Sequence, residues 1–135
     1  GACLRIHNIL GNGFPEVIYQ RALALELKAI GLSFQREFDM TIYYMNQKTG
    51  SRRVDFFVEG QVMVEIKAIE KLEEVHKAQA INYCEAYHIA NGLLINFGGK
   101  SLEFNRVYNK KLVNPVLNKM NGLQDGQDKS DPKKS

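Results

Sequence analysis

Between Arg52 and Lys67 the chain reads RRVDFFVEGQVMVEIK. β-Branched and aromatic residues flank Gly60 on both sides, the composition of two strands around a tight turn. Three of its charged groups fall among apolar strand residues: Asp55 among Val54, Phe56 and Phe57, and Glu65 and Lys67 on either side of Ile66. Residues two apart on a strand share a face, so Glu65 and Lys67 point one way while Val64, Ile66 and Ala68 point the other. Two carboxylates and an ammonium on an inner face cost several kcal/mol per ion to desolvate. Such groups persist where they pair, hold a metal or do chemistry. Hard cations such as Mg2+ take oxygen ligands, often one or two carboxylates completed by water and phosphate. A bound cation lowers the pKa of a water and clamps a phosphoryl oxygen. A lysine beside it can orient or deprotonate the attacking water, or stabilise charge developing on phosphorus. The plain alternative is a solvated Glu65–Lys67 ion pair on a half-exposed sheet.

Turn length decides whether Asp55 and Glu65 can share a site. A two-residue turn at Glu59-Gly60 would pair Val58 with Gln61 and send the two carboxylates to opposite sides. A shared site therefore predicts an odd-length loop, such as Glu59-Gly60-Gln61, or a β-bulge between Asp55 and Glu65. Gly60 suits the positive φ that such loops require.

Two further groups of residues bear on the same chemistry. Gln79 and Tyr83, four apart, fall on one helical face with His76 a turn earlier. An amide and a phenol there could hold a phosphate, a base or a water; the alternative is a solvated helix with Tyr83 in the core. Glu16 opens a helix in Gly13-Phe14-Pro15-Glu16-Val17-Ile18-Tyr19, where a carboxylate complements the dipole or caps. It also stands at the head of the inward stripe Tyr19, Leu23, Leu27 and Ile30, which brings it into consideration as a ligand. His7 and His88 read as structural or exposed. Cys84 reads as a small core residue, since no Cys/His/Asx arrangement accompanies it.

The elements that would position these groups follow from periodicity and punctuation. A short helix over Ala2 to Leu10 ends at Gly11-Asn12-Gly13, residues suited to a left-handed cap. A second helix runs from Pro15 to Ile30, with Pro15 in its first turn and Gly31 stopping it. Leu32 to Phe38 and Met40 to Met45 read as two strands, and Asn46 to Ser51 as a polar turn. After the central hairpin, Glu74 to Ile89 is helical and is broken by Asn91-Gly92. Leu93 to Phe97 is an apolar run of the kind covered on both faces, and Leu102 to Tyr108 is a more polar strand. Strand, helix and buried strand at this spacing predict a right-handed βαβ crossover.

Composition sets broad bounds. The 135 residues, 44% hydrophobic and 24% charged, suit one soluble domain with a real core. No apolar run is long enough to span a bilayer, and no signal peptide is visible. The absence of an initial methionine reads as trimming, which would also remove any upstream targeting segment. Two cysteines, Cys3 and Cys84, argue against a disulfide scaffold and fit a reducing cytoplasm. The formal charge of +3 belongs to the end of the chain: residues 110–135 hold six lysines and three aspartates, leaving twelve charges of each sign before them. A phosphate-binding surface on the domain must come from local clustering, for instance of Arg52, Arg53, Lys67, Lys71 and Lys77. The domain is read as 1–110 and the polar, lysine-rich remainder 111–135 as a disordered tail.

Together these segments resemble a known family. Gly13-x-x-Glu16-x-x-Tyr19 is similar to the signature of the GxxExxY proteins, small prokaryotic members of the PD-(D/E)XK nuclease superfamily. The resemblance runs from Ala2 to Tyr108 and includes Leu10-Gly11-x-Gly13-Phe14, Arg53-x-Asp55, Glu65-Ile66-Lys67, His76-x-x-Gln79 and Leu94-Ile95-Asn96-Phe97-Gly98. It implies an α/β fold with a restriction-endonuclease-like core, a mixed central sheet flanked by helices. It implies that Asp55 and Glu65 bind Mg2+ or Mn2+ with the Ile66 carbonyl nearby, that Glu16 matches a helical glutamate of the site, and that Lys67 is the catalytic lysine. Gln79-x-x-x-Tyr83 resembles the Q-x-x-x-Y motif of RecB-type nucleases, making Gln79 and Tyr83 substrate contacts, with Tyr19 of the signature as a third. The upstream half of the family's first helix is missing. The expectation is a metal-dependent nuclease acting on DNA more than RNA, without membrane attachment. The alternatives are a catalytically idle nucleic-acid- or protein-binding module, and a dimerising scaffold, since exposed apolar residues suit a homodimer.

Overall fold

In the computed structural model, residues 1–109 are described; the tail expected from residue 111 lies outside them. Among the described residues, three helices accompany five strands in the order α1 (Ala2–Leu10), α2 (Glu16–Ala29), β1 (Phe34–Tyr44), β2 (Gln47–Val58), β3 (Val62–Lys67), α3 (Glu74–Ala86), β4 (Asn91–Asn96) and β5 (Glu103–Tyr108). The strands form one sheet in sequence order, and only β3 and β4 run parallel. This is the mixed sheet expected, with α3 as the crossover between its parallel pair.

The sheet is covered on both faces. Tyr19, Leu23 and Leu27 of α2 and Ile6 of α1 pack on Phe56, Val64, Ile66, Ile95 and Phe97. Ala80 and Cys84 of α3 pack on Met40, Val54, Met63 and Val107 of the other face. Cys84 is thus a core residue, as read from the sequence. Tyr19 stacks flat on Phe97, ring centroids 4.8 Å apart, and locks α2 to the centre of the sheet. Ile30, expected on the inward stripe, is 55% exposed, because α2 has ended and its cap has left helical geometry.

Three boundaries differ from the sequence reading. Leu32–Phe38 and Met40–Met45 are one strand, β1, rather than two. It bends without breaking at Glu37, which has φ 51°. The first hairpin turns at Met45-Asn46, with φ 51° and 63°, and not across Asn46–Ser51. Both residues at positive φ match the primed turn that fits strand twist, and methionine is an unusual residue for it. Gly92, read as a helix breaker, lies inside β4: a Cβ there would sit 2.8 Å from Val107 Cγ2 and 2.9 Å from Cys84 Sγ. The glycine is set by close packing of α3 and β5 on the strand.

Past β4 the chain makes a still closer approach. A Cβ on Gly98 would lie 2.4 Å from both the nitrogen and the oxygen of Ile69. Fully buried Asn96 fastens the same segment: its Oδ1 accepts from the N–H of Ile69 and of Gly98, and its Nδ2 donates to Ile69 O and Glu103 Oε1. The backbone leaving Lys67 is therefore held in place from β4. Gly98→Ala should lower stability by about 2 kcal/mol or more in urea unfolding, whereas Gly13→Ala, with open space around its Cβ, should change little. Matching midpoints for the two variants would contradict this packing.

Candidate metal and phosphate site

The hairpin between β2 and β3 has the odd-length loop that a shared site required. Val58 pairs with Val62, leaving the three residues Glu59-Gly60-Gln61 in the loop. Glu59 and Gly60 both have positive φ, 55° and 63°. The β2–β3 ladder then runs only to Phe56↔Val64. Beyond it β2 stays with β1, down to Tyr44↔Gln47, while β3 stays with β4, as far as Lys67↔Asn96. The sheet opens between them at Asp55 and Glu65.

At the same point β2 changes face. Val54 and Phe57 pack on the α3 side, while Phe56, between them, packs on the α2 side. Strict alternation would put Val54 and Phe56 together. Opposite this step, β1 carries its left-handed Glu37, flanked by the pairs Arg36↔Phe56 and Phe38↔Val54. The register of the two strands is unchanged across Glu37 and shifts only further along, between Ile42 and Tyr43.

Backbone amides exposed by the opening are bound by the two carboxylates. The Asp55 N–H donates to Glu65 Oε2 at 3.1 Å, and the Ile66 N–H donates to Asp55 Oδ2 at 2.7 Å. Each acid thus replaces a lost ladder bond on the other strand. Asp55 Oδ1 accepts from Gln20 Nε2 at 3.0 Å, and Gln20 Oε1 accepts from Arg36 at 2.7 Å. Arginine can only donate, which fixes the Gln20 amide with its nitrogen toward Asp55. Gln20 is 7% exposed and was not singled out in the sequence. The available signal was a polar residue on the α2 stripe with Leu23, Ala24 and Leu27.

Glu65 is 5% exposed on the α3 side. With Arg52, Lys67, His76, Gln79 and Tyr83 it lines a gap of about 10 Å3, room for about one water. The structure thus gathers Glu65, Lys67, Gln79 and Tyr83 around this gap; Asp55 does not line it, its carboxylate lying between the Ile66 N–H and Gln20 of α2. Among the described residues Lys67 has no ion-pair partner. His76 Nδ1 accepts from the Glu73 N–H at 2.9 Å, which leaves Nε2 to carry the proton of the neutral ring. Arg52, read only as part of a diffuse basic cluster, proves to be a member: its NH2 is 3.7 Å from Glu65 Oε1, and its guanidinium lies 5.2 Å from the Tyr83 ring centroid. Two others of that cluster are committed elsewhere, Arg53 to Asp39 and Lys77 to Glu74.

Two expected members do not join. Tyr19 has no exposed surface for a substrate; its hydroxyl donates to Gly11 O and accepts from the Phe14 N–H, tying down the α1–α2 loop. Glu16 is exposed in the first turn of α2, and among the described residues no group of three acidic, histidine or cysteine side chains is placed to hold a metal. The fourteen-residue α2 presents Tyr19 and Gln20 to the sheet and leaves Glu16, a turn earlier, at the helix tip. Ile66 enters through its amide, bound to Asp55.

The donor chemistry fits a hard divalent cation. Burial, followed by the charge of Asp55, pushes the Glu65 carboxyl up from 4.5 to about 7, against the weaker opposing pull of the Asp55 amide, Arg52 and Lys67. Asp55 and Glu65 would hold the ion, with water and phosphate oxygens filling its other positions.

This shift has a consequence for stability. A carboxyl whose pKa rises on folding binds protons more tightly in the native state. Its contribution is complete below the unfolded value near 4.5 and is lost as pH climbs through about 7. Glu65→Gln keeps an acceptor for the Asp55 amide and removes the titration. In chelator-treated protein it should stabilise by on the order of 2 kcal/mol at pH 8 and by little at pH 4. Denaturant unfolding at both pH values checks this, and an equal difference at the two would contradict it.

Comparison with known proteins agrees with this geometry. A model of the PD-(D/E)XK nuclease superfamily matches residues 1–107. No curated protein matches the sequence. Among solved structures, that of SSO0001 is similar with a TM-score of 0.55 at 16% identity, over 82% of this chain and 60% of the other. That likeness speaks for the fold, and this chain spans less than two thirds of that protein. With the family match covering the sheet, all three helices and the acidic pair at its opening, the chain belongs to the PD-(D/E)XK nuclease superfamily.

Proposed function

We propose that this domain is a divalent-metal-dependent phosphodiesterase that hydrolyses nucleic acid, DNA in preference to RNA, and that within its superfamily it is of the GxxExxY type. The observation that carries the reading is the pairing of Asp55 and Glu65 across the strand opening, with the free ammonium of Lys67 in the same pocket as Glu65. Mg2+ or Mn2+ bound there would acidify a water and neutralise a phosphoryl oxygen. Asp55 and Glu65 would hold the ion, and the family resemblance adds the Ile66 carbonyl as a third donor. Gln20 and Ile66 N–H fix the Asp55 carboxylate so that it need not reorganise. Lys67 orients the attacking water and balances charge on the phosphate. Gln79 and Tyr83 approach the nucleotide from α3 with uncharged hydrogen-bonding groups. No helix among the described residues is long and apolar enough to cross a membrane.

A second reading, an idle binding module with the same fold, draws support from the lack, among the described residues, of a third acidic, histidine or cysteine side chain placed with the pair. Cleavage separates the two. Labelled single- and double-stranded DNA and RNA should be cut with Mg2+ or Mn2+ by the wild type, and about 100-fold or more slowly by Lys67→Ala and Asp55→Ala. Equal rates for all three would assign the activity to a contaminant, and no cleavage by wild type on any substrate favours the idle module.

A further inference from the structure

Arg52 stands in an arrangement that neither folding nor the proposed cation site accounts for. Its Nε is buried with no hydrogen-bond partner. Its NH2 reaches Glu65 Oε1 only at 3.7 Å, a long ion pair rather than a hydrogen bond. The guanidinium plane lies over Tyr83 at 5.2 Å. A group built for two parallel hydrogen bonds makes neither well, and a buried unmade bond costs about 1–3 kcal/mol. The side chain is nonetheless 40% exposed, with room to leave.

We propose that Arg52 is the ligand of the substrate's phosphodiester group and that, without a divalent ion, it rests against Glu65 as a stand-in counter-charge. The inference deepens the nuclease reading and rests on it. Three features support the exchange. Among the described residues Arg52 is the one cation within ion-pair distance of Glu65. The gap walled by Arg52 and Tyr83 has space for about one water and none for a phosphate, so the anion can enter only when Arg52 shifts. A bidentate phosphate would use both Nε and NH2, supplying the partner that Nε lacks. A divalent ion on Asp55 and Glu65 repels the guanidinium and releases it toward the anion; Tyr83 offers its ring as the surface along which it turns.

This arrangement predicts effects of opposite sign from one substitution. Calorimetric titration with Mn2+ should give Arg52→Gln a cation affinity roughly 3- to 10-fold tighter than wild type, because a competing positive charge is gone. In a Lys67→Ala background, which suppresses turnover, the same substitution should weaken Mn2+-dependent binding of a fluorescent oligonucleotide by about 10-fold or more, read by anisotropy. Arg52→Lys keeps the charge and loses the fork; its cation affinity should stay near wild type while oligonucleotide binding falls. A purely structural arginine would weaken both, and that result overturns the proposal. Unchanged cation affinity in Arg52→Gln overturns it too, leaving the cation site intact. Failure of the wild type to bind Mn2+ removes the site itself, and the proposal with it.

Discussion

The physical constraint behind this structure is a sheet that must stay whole on either side of a place where it comes apart. β2 is committed to β1 and β3 to β4, and the two cannot remain paired with each other past Phe56 and Val64. A buried ladder that ends in this way leaves amides without partners, and buried orphan donors are costly. Asp55 and Glu65 resolve this reciprocally, each carboxylate accepting from a backbone N–H on the opposite strand. The solution has its own cost: burial first, and then the charge of Asp55, push the Glu65 carboxyl up to about 7. A divalent ion on the two acids would offset that cost, and the proposed activity grows from it.

The rest of the fold holds the opening at a fixed width. On one face α2 contributes Gln20, braced by Arg36, and is itself anchored through Tyr19 on Phe97. On the other, α3 lays Ala80 and Cys84 on the sheet, which turns Gln79 and Tyr83 toward Glu65 and Lys67. Asn96 and Gly98 clamp the chain just beyond Lys67. Each device acts from a different element, so the geometry of the acids is over-determined while Arg52 is left with slack.

Much of this was legible in the chain, for identifiable reasons. Helix limits followed from Gly11, Pro15 and Gly31, and the crossover from an apolar strand after a helix. The odd loop at Glu59-Gly60-Gln61 could be deduced from side-chain alternation beside the turn, whereas the change of face between Val54 and Phe56 left no mark in the pattern. Errors arose where tertiary packing overrode local pattern. Asp39 reads as the gap between two strands, yet β1 runs through it, paired with β2 at Asp39↔Arg53. Gly92 reads as punctuation, yet Cys84 and Val107 exclude anything larger. Tyr19 and Glu16 belong to one signature but to different surroundings: the tyrosine is sealed in the core and the glutamate stays at the helix tip. Gln20 was missed as a site residue, and Arg52 was read only as part of a diffuse phosphate-binding cluster, because contacts between distant elements leave little trace in spacing.

The central claim is that Asp55 and Glu65, joined across the strand opening, form one cation site. A crystal soaked in Mn2+ and measured at the manganese absorption edge tests it most directly. The account predicts one anomalous peak within direct coordination distance of both an Asp55 oxygen and a Glu65 oxygen. A peak that touches neither acid, or an empty opening at saturating Mn2+, would contradict it.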